Sequence, residues 1–370
     1  MDSRTRVITA MHRQKPDRVP VDLSWGFSPG ILETFKERTG ENDPDEYFKT
    51  DVRFVGLEAT RGFGTDTDDD DDPEWQKKEA EYRKLLGDLP PRSTITEWGT
   101  GHIPGSEHHF TRIVCPLQNA TRPEEIESYP LPTFDESWRL SKAKESIDKF
   151  HEKGLCVAGA AACSIFEVSW QIRGMEQMLE DFSHRPELAS ILLDRVTEIR
   201  CKYVETLLSM GSDLIILGDD IATQIGMMMS PAMWRRWLKP RLSTIIQAAR
   251  RIKPDVLVFY HSDGNPSAVI PDLIEIGVNI LNPVQPECMD PAALKKQYGD
   301  QLAFWGTIGT QTTFPFGSPE DIRNVVRQRI ETVGQDGGLL LGPTHMLEPD
   351  VPWENILAFF EAIEEYGYYK

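Results

Sequence analysis

The sequence predicts an α/β protein built as a single (β/α)8 barrel, the TIM-barrel fold. Its 370 residues exceed the about 250 residues that such a barrel needs, which leaves room for an N-terminal extension or insertion. From residue 154 onward, short apolar runs alternate with helical stretches. The runs are continuously apolar, as expected for strands that are buried on both faces of a parallel sheet. A doubly wound open sheet is the alternative architecture.

Six strand–helix units follow one another in this part of the chain. The strands are expected at residues 154–160, 213–219, 255–261, 279–284, 302–306 and 338–342. The helices are expected to start at Pro186 and after Ser230, and to cover 266–276, 291–298, 319–333 and 352–366. Residues 19–25 supply another strand, and the eighth is expected at 52–56 or at 113–115.

Residues 26–150 are less regular than the rest of this single domain, which spans residues 1–370. We interpret them as a lid or insertion over the barrel mouth. The acidic run at 65–76 lacks the spacing and the glycine of a calcium loop, so it is expected to be a solvated loop. The same region contains His102, His108 and His109.

Composition limits the partners and the location. No apolar run is long enough to span a membrane, and residues 1–20 lack the apolar stretch of a signal peptide, so a cytoplasmic protein is expected. The formal net charge of −19 argues against nucleic acid and anionic membranes as partners. Five cysteines without a repeated spacing do not predict a disulfide framework.

Polar side chains gather where the predicted strands end. In a barrel, the C-terminal ends of the strands carry the active site, because the loops that follow them form that face. Acids, imidazoles and a thiol stand at these positions: Asp219 and Asp220, His261 and Asp263, Gln285 and Cys288, and His345, with Trp305 beside them. This set is rich in metal ligands and proton carriers, so it predicts the active site.

His261 and Asp263 are two residues apart just after a strand, so in an extended segment both side chains lie on one side. With His345 they form a ligand set that suits zinc or another divalent ion. Alternatively, His261 is a hydrogen-bonded barrel residue and Asp263 caps the next helix. Cys288 is a further ligand or a packed thiol.

The adjacent acids Asp219 and Asp220 have a similar ambiguity. One could cap the following segment while the other faces the pocket as a catalytic base or binds a polar group of the substrate. Met228 and its two methionine neighbours could form a soft wall for a flat ligand, or pack at the start of a helix.

Several segments together resemble one family. They are residues 16–21, 116–132, 261–265 (HSDGN), 272–291, 304–311 (FWGTIGTQ) and 342–356 (GPTHMLEPDVPWENI). In this order they look like the uroporphyrinogen decarboxylase superfamily, over nearly the whole chain. The resemblance implies a (β/α)8 barrel, in agreement with the strand count.

The superfamily contains decarboxylases and corrinoid-dependent methyltransferases. The decarboxylases hold their substrate with an arginine-rich segment after the first strand, whereas residues 22–30 here contain no arginine. The methyltransferases that act on thiols hold zinc with His-x-Cys and a distant Cys. By resemblance, His261 matches the first position, Asp263 replaces the second, and His345 stands at the third. This harder set suits an oxygen-linked methyl group.

The resemblance therefore implies a demethylating methyltransferase that moves a methyl group from a small methoxylated or methylated donor to cobalamin carried by a partner protein. Zinc or another divalent ion would assist, and a homodimer is expected because superfamily members often pair. Trp305, Tyr260, Gln285 and Met228 would contact the donor, and Asp219 or Asp220 would hold its polar group. The alternatives are a decarboxylase, an enzyme of this family without a metal, and a non-catalytic barrel that docks a corrinoid protein.

Overall fold

The computed structural model describes residues 1–58, 73–105 and 111–369. Most of the acidic run, together with His108 and His109, lies outside the described residues. The described strands are β1 (Val52–Val55), β2 (Thr94–Ile95), β3 (Gly101–Pro104), β4 (Thr111–Val114), β5 (Cys156–Ala160), β6 (Leu214–Gly218), β7 (Ala222–Thr223), β8 (Gly226–Met227), β9 (Leu257–His261), β10 (Ile280–Asn282), β11 (Ala303–Ile308) and β12 (Leu339–Pro343).

The helices fill the connections between these strands. They are α1 (Ser3–Met11), α2 (Pro29–Thr39), α3 (Pro44–Tyr47), α4 (Pro73–Leu86), α5 (Pro123–Glu127), α6 (Ser137–Glu152), α7 (Phe166–Arg173), α8 (Met175–His184), α9 (Pro186–Ser209), α10 (Pro231–Trp237), α11 (Lys239–Ile252), α12 (Ile270–Ile276), α13 (Pro291–Tyr298), α14 (Thr313–Phe316), α15 (Pro319–Thr332) and α16 (Trp353–Tyr366), with a 3₁₀ turn at Ser267–Val269. The predicted helix starts at Pro186 and after Ser230 are confirmed. None of the described helices combines the length and the apolarity needed to cross a bilayer.

Seven parallel strands form the main sheet in the order β1-β5-β6-β9-β10-β11-β12. Residues 20–22 complete the ring between its two edges. On one side Leu341 N–H donates to the Pro20 carbonyl at 2.9 Å, and Asp22 N–H donates to the Leu341 carbonyl at 3.0 Å. On the other side Asp51 N–H donates to the Val21 carbonyl at 2.8 Å. The predicted (β/α)8 barrel is confirmed, with the first predicted strand as the closing segment.

Both faces of the barrel strands are buried, which explains their continuously apolar sequences. Leu214 and Ile216 of β6 belong to the cluster inside the barrel, whereas Ile215 and Leu217 pack outward against the helices. Alternate residues of a strand point to opposite faces. A polar residue in such a strand would therefore lose its contact with water on either face, and the apolar composition follows.

Helix α1 closes the N-terminal end of the barrel. Val7, Ala10 and Met11 belong to the interior cluster. Arg6 of the same helix donates to the fully buried Asp51 carboxylate at 2.7 Å. The opposite, C-terminal end is the mouth of the barrel and is left for the site.

The range 26–150 is only partly outside the barrel. β1 lies within it and pairs with β5, so the eighth-strand alternative at 52–56 is confirmed and the one at 113–115 is wrong. β4 instead forms a small antiparallel sheet with β2 and β3, which packs on α7. The proposed lid over the mouth stays a prediction.

Candidate functional site

His261, the last residue of β9, stands at the centre of the barrel mouth. It pairs with Gly218 at the end of β6 and with Asn282 at the end of β10. A Cβ atom at position 218 would lie 2.6 Å from the His261 Cβ, so only glycine leaves room there. His261 is buried, with 7% of its surface exposed. Trp25 packs edge-on against its ring, with the ring centroids 5.3 Å apart.

Asn282 fixes the tautomer of His261. The Asn282 amide nitrogen donates to the Trp305 carbonyl at 3.0 Å, which turns its Oδ1 towards the imidazole. Oδ1 lies 2.6 Å from His261 Nδ1, and because an amide oxygen only accepts, Nδ1 carries the proton. The lone pair of neutral His261 is then on Nε2, which is the arrangement that metal-binding histidines use.

Two carboxylates face this nitrogen. His261 Nε2 lies 3.7 Å from Asp220 Oδ1 and 3.9 Å from Asp263 Oδ1. One ligand atom from each of the three residues lies within 4.8 Å of the other two. Within the described part of the chain, Asp263 Oδ1 is buried and accepts no hydrogen bond. Burial and the nearby Asp220 raise the pKa of Asp263 to about 6, against the lowering effect of His261.

The loop after β9 is held by its neighbours. Asp263 N–H donates to Asp220 Oδ1 at 2.7 Å, and Gly264 N–H donates to Gln285 Oε1 at 2.5 Å. Gly264 has φ +79°, and a Cβ atom there would lie 2.4 Å from the Thr223 carbonyl oxygen. The loop therefore requires glycine at this position.

Asp219 is the member of the adjacent pair that has a capping role, one of the alternatives predicted for these two acids. Its buried carboxylate accepts the backbone N–H groups of Ile165 and Glu167 at 2.9–3.1 Å. Burial raises its pKa to about 7, opposed by these two hydrogen bonds. The catalytic assignment of Asp219 is corrected to a capping role at the start of α7, because its oxygens face that helix.

Glu167 is a further residue of the site. Its Oε2 accepts the backbone N–H of Asp220 at 3.0 Å. Burial and the neighbouring Asp220 and Asp219 raise its pKa well above the usual range. Glu167 thus fixes the backbone next to the Asp220 carboxylate.

The predicted ligands His345 and Cys288 lie near the group but outside it. The centroid of the His345 ring is 6.5 Å from that of His261, and the third member of the group is Asp220 instead. Cys288 Sγ lies 3.7 Å from Gln285 Oε1. Burial, with Glu287 and Asp263 nearby, raises the pKa of the Cys288 thiol.

The predicted substrate contacts are also partly corrected. Trp305 is fully buried inside the barrel, where its indole N–H donates to Asp22 Oδ2 at 3.0 Å. Tyr260 is buried on the outer face of the sheet, against the helices. Gln285 is buried and holds the Gly264 backbone, whereas Met228 is half-buried after the β7–β8 hairpin.

Three contributors were missed from the sequence: Asn282, Trp25 and Glu167. Asn282 had a signal, because it is a polar residue that ends an otherwise apolar run. Trp25 stands at the end of the predicted strand at 19–25 and in the segment 22–30, which was compared only for its missing arginines. Glu167 is one of many acids that begin a helix, and only the tertiary structure brings it to Asp220.

The fold and the site define a barrel protein with a nitrogen- and oxygen-rich group at the C-terminal ends of its strands, where barrel enzymes carry their chemistry. The family model of uroporphyrinogen decarboxylase (URO-D) matches residues 105–366. The chain belongs to this family.

The curated proteins that are similar to this chain include both a methyltransferase and decarboxylases. The methylcobamide:CoM methyltransferase MtaA of Methanosarcina barkeri is 27% identical over 183 residues, which are 49% of this chain and 50% of that protein. The uroporphyrinogen decarboxylase of Hydrogenobaculum sp. (strain Y04AAS1) is 24% identical over 180 residues, 49% of each chain. This chain thus spans about half the length of the curated relatives it matches.

Among solved structures, a methyltransferase from Methanosarcina mazei superposes with a TM-score of 0.66 and covers 99% of both chains. The two sequences are 18% identical. At this identity the likeness shows the shared fold.

Proposed function

We propose that this chain is a corrinoid-dependent methyltransferase that takes a methyl group from an oxygen-linked donor, such as a methoxylated aromatic compound. His261, Asp263 and Asp220 would hold a divalent metal ion, with zinc as the first candidate. The acceptor would be a cobalamin carried by a partner protein. The observation that carries the proposal is the buried Asp263 Oδ1, which has no hydrogen-bond donor in the described chain and lies 3.9 Å from His261 Nε2.

The donor set fits a divalent ion. A buried carboxylate oxygen without a partner is costly, and a cation between the three groups would satisfy it. One imidazole and two carboxylates are harder ligands than the two thiolates expected in the thiol-methylating branch. The metal ion would supply Lewis acidity towards the oxygen of the donor.

The chain's own residues would set the geometry of the reaction. Asn282 holds the proton on His261 Nδ1 and so directs Nε2 towards the two carboxylates, and Glu167 and Gln285 fix the backbones next to Asp220 and Asp263. The methyl group would pass from the donor oxygen to a cobalt(I) acceptor: cobalt would supply both electrons of the Co–C bond, the C–O bond would break with its electrons on oxygen, and that oxygen would take a proton from water. The relationship to MtaA, which is named for methylcobamide, supports a corrinoid partner, and the direction of transfer is proposed from the hard ligand set.

Metal analysis tests the ligand set. The wild-type protein, stripped with chelator and reloaded, is expected to retain about one zinc per chain, and H261Q less than about 0.2. D300N is the control, because Asp300 is exposed and precedes β11 at the other end of the barrel. Metal below about 0.2 per chain in the wild type would contradict a metal-assisted mechanism.

Visible spectroscopy tests the reaction. The reduced cob(I)alamin would be incubated with the protein and, in turn, methoxylated aromatics, methylamines and betaines. Methylcobalt(III) should form with a methoxylated donor and not with the H261Q variant. Loss of CO2 from uroporphyrinogen, with no donor methylating cobalamin, would establish the decarboxylase alternative instead.

A further inference from the structure

The rim of the barrel mouth carries two strongly exposed apolar side chains. Ile225, at the tip of the β7–β8 hairpin, is 94% exposed, and Phe316, at the end of α14, is 79% exposed. Among the large apolar residues of the described chain, these two are the most exposed. Both belong to loops that follow barrel strands, so both lie on the face that holds the candidate site. Exposed apolar groups of this size mark interaction surfaces.

The two loops form one connected surface. The Gln224 amide nitrogen donates to Gln311 Oε1 at 2.8 Å and joins the hairpin to the loop after β11. The backbone on both sides of Phe316 is fixed, because the Asn355 amide nitrogen donates to the carbonyls of Phe314 and Gly317, both at 2.8 Å. We call this surface, made by Gln224, Ile225, Gln311 and Phe316, the rim patch.

The two segments that carry the rim patch contain no charged residue, and the Glu287 carboxylate beside them accepts a hydrogen bond from the Thr312 hydroxyl at 2.8 Å. Residues 221–234 and 301–319 contain no Asp, Glu, Lys or Arg, although these residues make up 27% of the chain and its net charge is −19. Interface cores are depleted of charged residues and enriched in aromatic residues and methionine. An uncharged area also lets a partner approach without the repulsion that the remaining acidic surface would exert on an acidic protein.

The rim patch is continuous with the candidate site. Asn265 N–H donates to the Thr223 carbonyl at 2.9 Å, so the hairpin rests on the loop that carries Asp263. The site itself is recessed, because His261 is only 7% exposed. A large methyl acceptor must therefore be brought to the rim in order to reach it.

We infer that the rim patch is the docking surface for the protein that carries the corrinoid, with Ile225 and Phe316 as its two apolar anchors. This inference rests on the proposed function, which requires such a carrier. A carrier seated on the patch would place the cobalt above the recessed His261.

Charge insertion tests the docking surface. The variants are I225D and F316D, and the matched control is I252D, because Ile252 is 43% exposed at the end of α11, which leads to the N-terminal end of β9. Binding of a purified corrinoid-binding protein loaded with cobalamin is measured by calorimetry. Each rim variant should weaken binding at least about tenfold, whereas I252D should stay within about twofold of the wild type.

A second measurement separates docking from chemistry. Methyl transfer to free cob(I)alamin, which needs no carrier, should stay within about twofold of wild type in I225D and F316D. An equal loss with free cobalamin would overturn the inference, because the patch would then act through the Asp263 loop. Unchanged carrier binding would overturn it as well. Sedimentation of each variant without the carrier is compared with that of the wild type. A smaller sedimentation coefficient in I225D or F316D would show that a second copy of this chain covers the patch, which also refutes the inference.

The inference and the proposed function fail in different ways. If the wild type binds the carrier through the rim patch but demethylates no donor, docking stands and the proposed reaction is wrong. If the wild type methylates free cobalamin but does not bind the carrier, the reaction stands and the docking surface is refuted.

Discussion

Replacing Asp263 by asparagine should stabilise the metal-free protein. The pKa of Asp263 is raised from 3.8 to about 6 by burial and by Asp220. A pKa difference of this size between the unfolded and the folded chain means that ionised Asp263 lowers the free energy of unfolding by roughly 3 kcal/mol. The side chain is 30% exposed, so water reduces this cost, and we expect D263N to gain about 1–2 kcal/mol at pH 7.5.

The gain should depend on pH in a defined direction. Because the folded-state pKa is the higher one, the folded protein binds the proton more tightly, and the stability of the wild type falls as pH rises through the window from 3.8 to about 6. D263N lacks this titration. The advantage of D263N should therefore be full above about pH 6 and should vanish as pH falls to about 4.

Zinc should reverse the order of the two proteins. At a free zinc concentration of 100 times its dissociation constant, the wild type gains about 2.7 kcal/mol, because the ion binds only the folded state. D263N has lost one of three ligands and should gain little. D263N should therefore melt higher in chelator, and the wild type should melt higher in zinc.

Thermal melting monitored by circular dichroism, in chelator and in zinc, measures both effects. In a chain of 370 residues, a change of 1 kcal/mol shifts the melting temperature by roughly 1–2 °C. D300N makes the same chemical change at an exposed site and should shift neither curve. A lower melting temperature for D263N in chelator, or an equal zinc shift in both proteins, would refute the reasoning.

Three further predictions concern the support of the site and the barrel. N282A should weaken zinc binding about 10–100-fold in a competition titration, because the His261 tautomer is no longer fixed; unchanged affinity would show that Nε2 needs no such support. G264A should lower the free energy of unfolding in urea by more than about 1 kcal/mol, since its Cβ would meet the Thr223 carbonyl at φ +79°. I216A should cost about 2–5 kcal/mol in the same assay by opening a cavity inside the barrel, and a loss below about 1 kcal/mol would mean that the interior repacks.

The strands and helices from residue 154 onward were predictable because their sequences follow one physical rule. A strand buried on both faces must be apolar throughout, and Pro186 and Ser230 mark helix starts by their backbone preferences. The eighth strand was ambiguous, because β1 and β4 are both short segments in which an arginine stands among β-forming residues. Only the tertiary pairing of Val52 with Cys156 separates them.

The site was predictable in its position and less so in its membership. The strand-end rule found His261, Asp263 and Asp220 together. It could not say which way a side chain turns, so it left open which of Asp219 and Asp220 faces the pocket, and in the structure Asp219 caps α7. The rule also placed Trp305 at the mouth. Trp305 lies two residues after Ala303 in β11, so the two share one face of the strand, and this face points into the barrel interior.

The closure of the barrel by α1 sets a constraint on how the chain acquires its structure. Ala10 accepts a hydrogen bond at 3.0 Å from Gly338, next to β12, and most of the sequence separates these two residues. During synthesis, the apolar face of α1 would leave the ribosome long before its binding site in the barrel exists. That face stays exposed to solvent until the last strand has been synthesised. We therefore expect α1 to be a contact site for a chaperone, and its packing against the barrel to be a late step in folding.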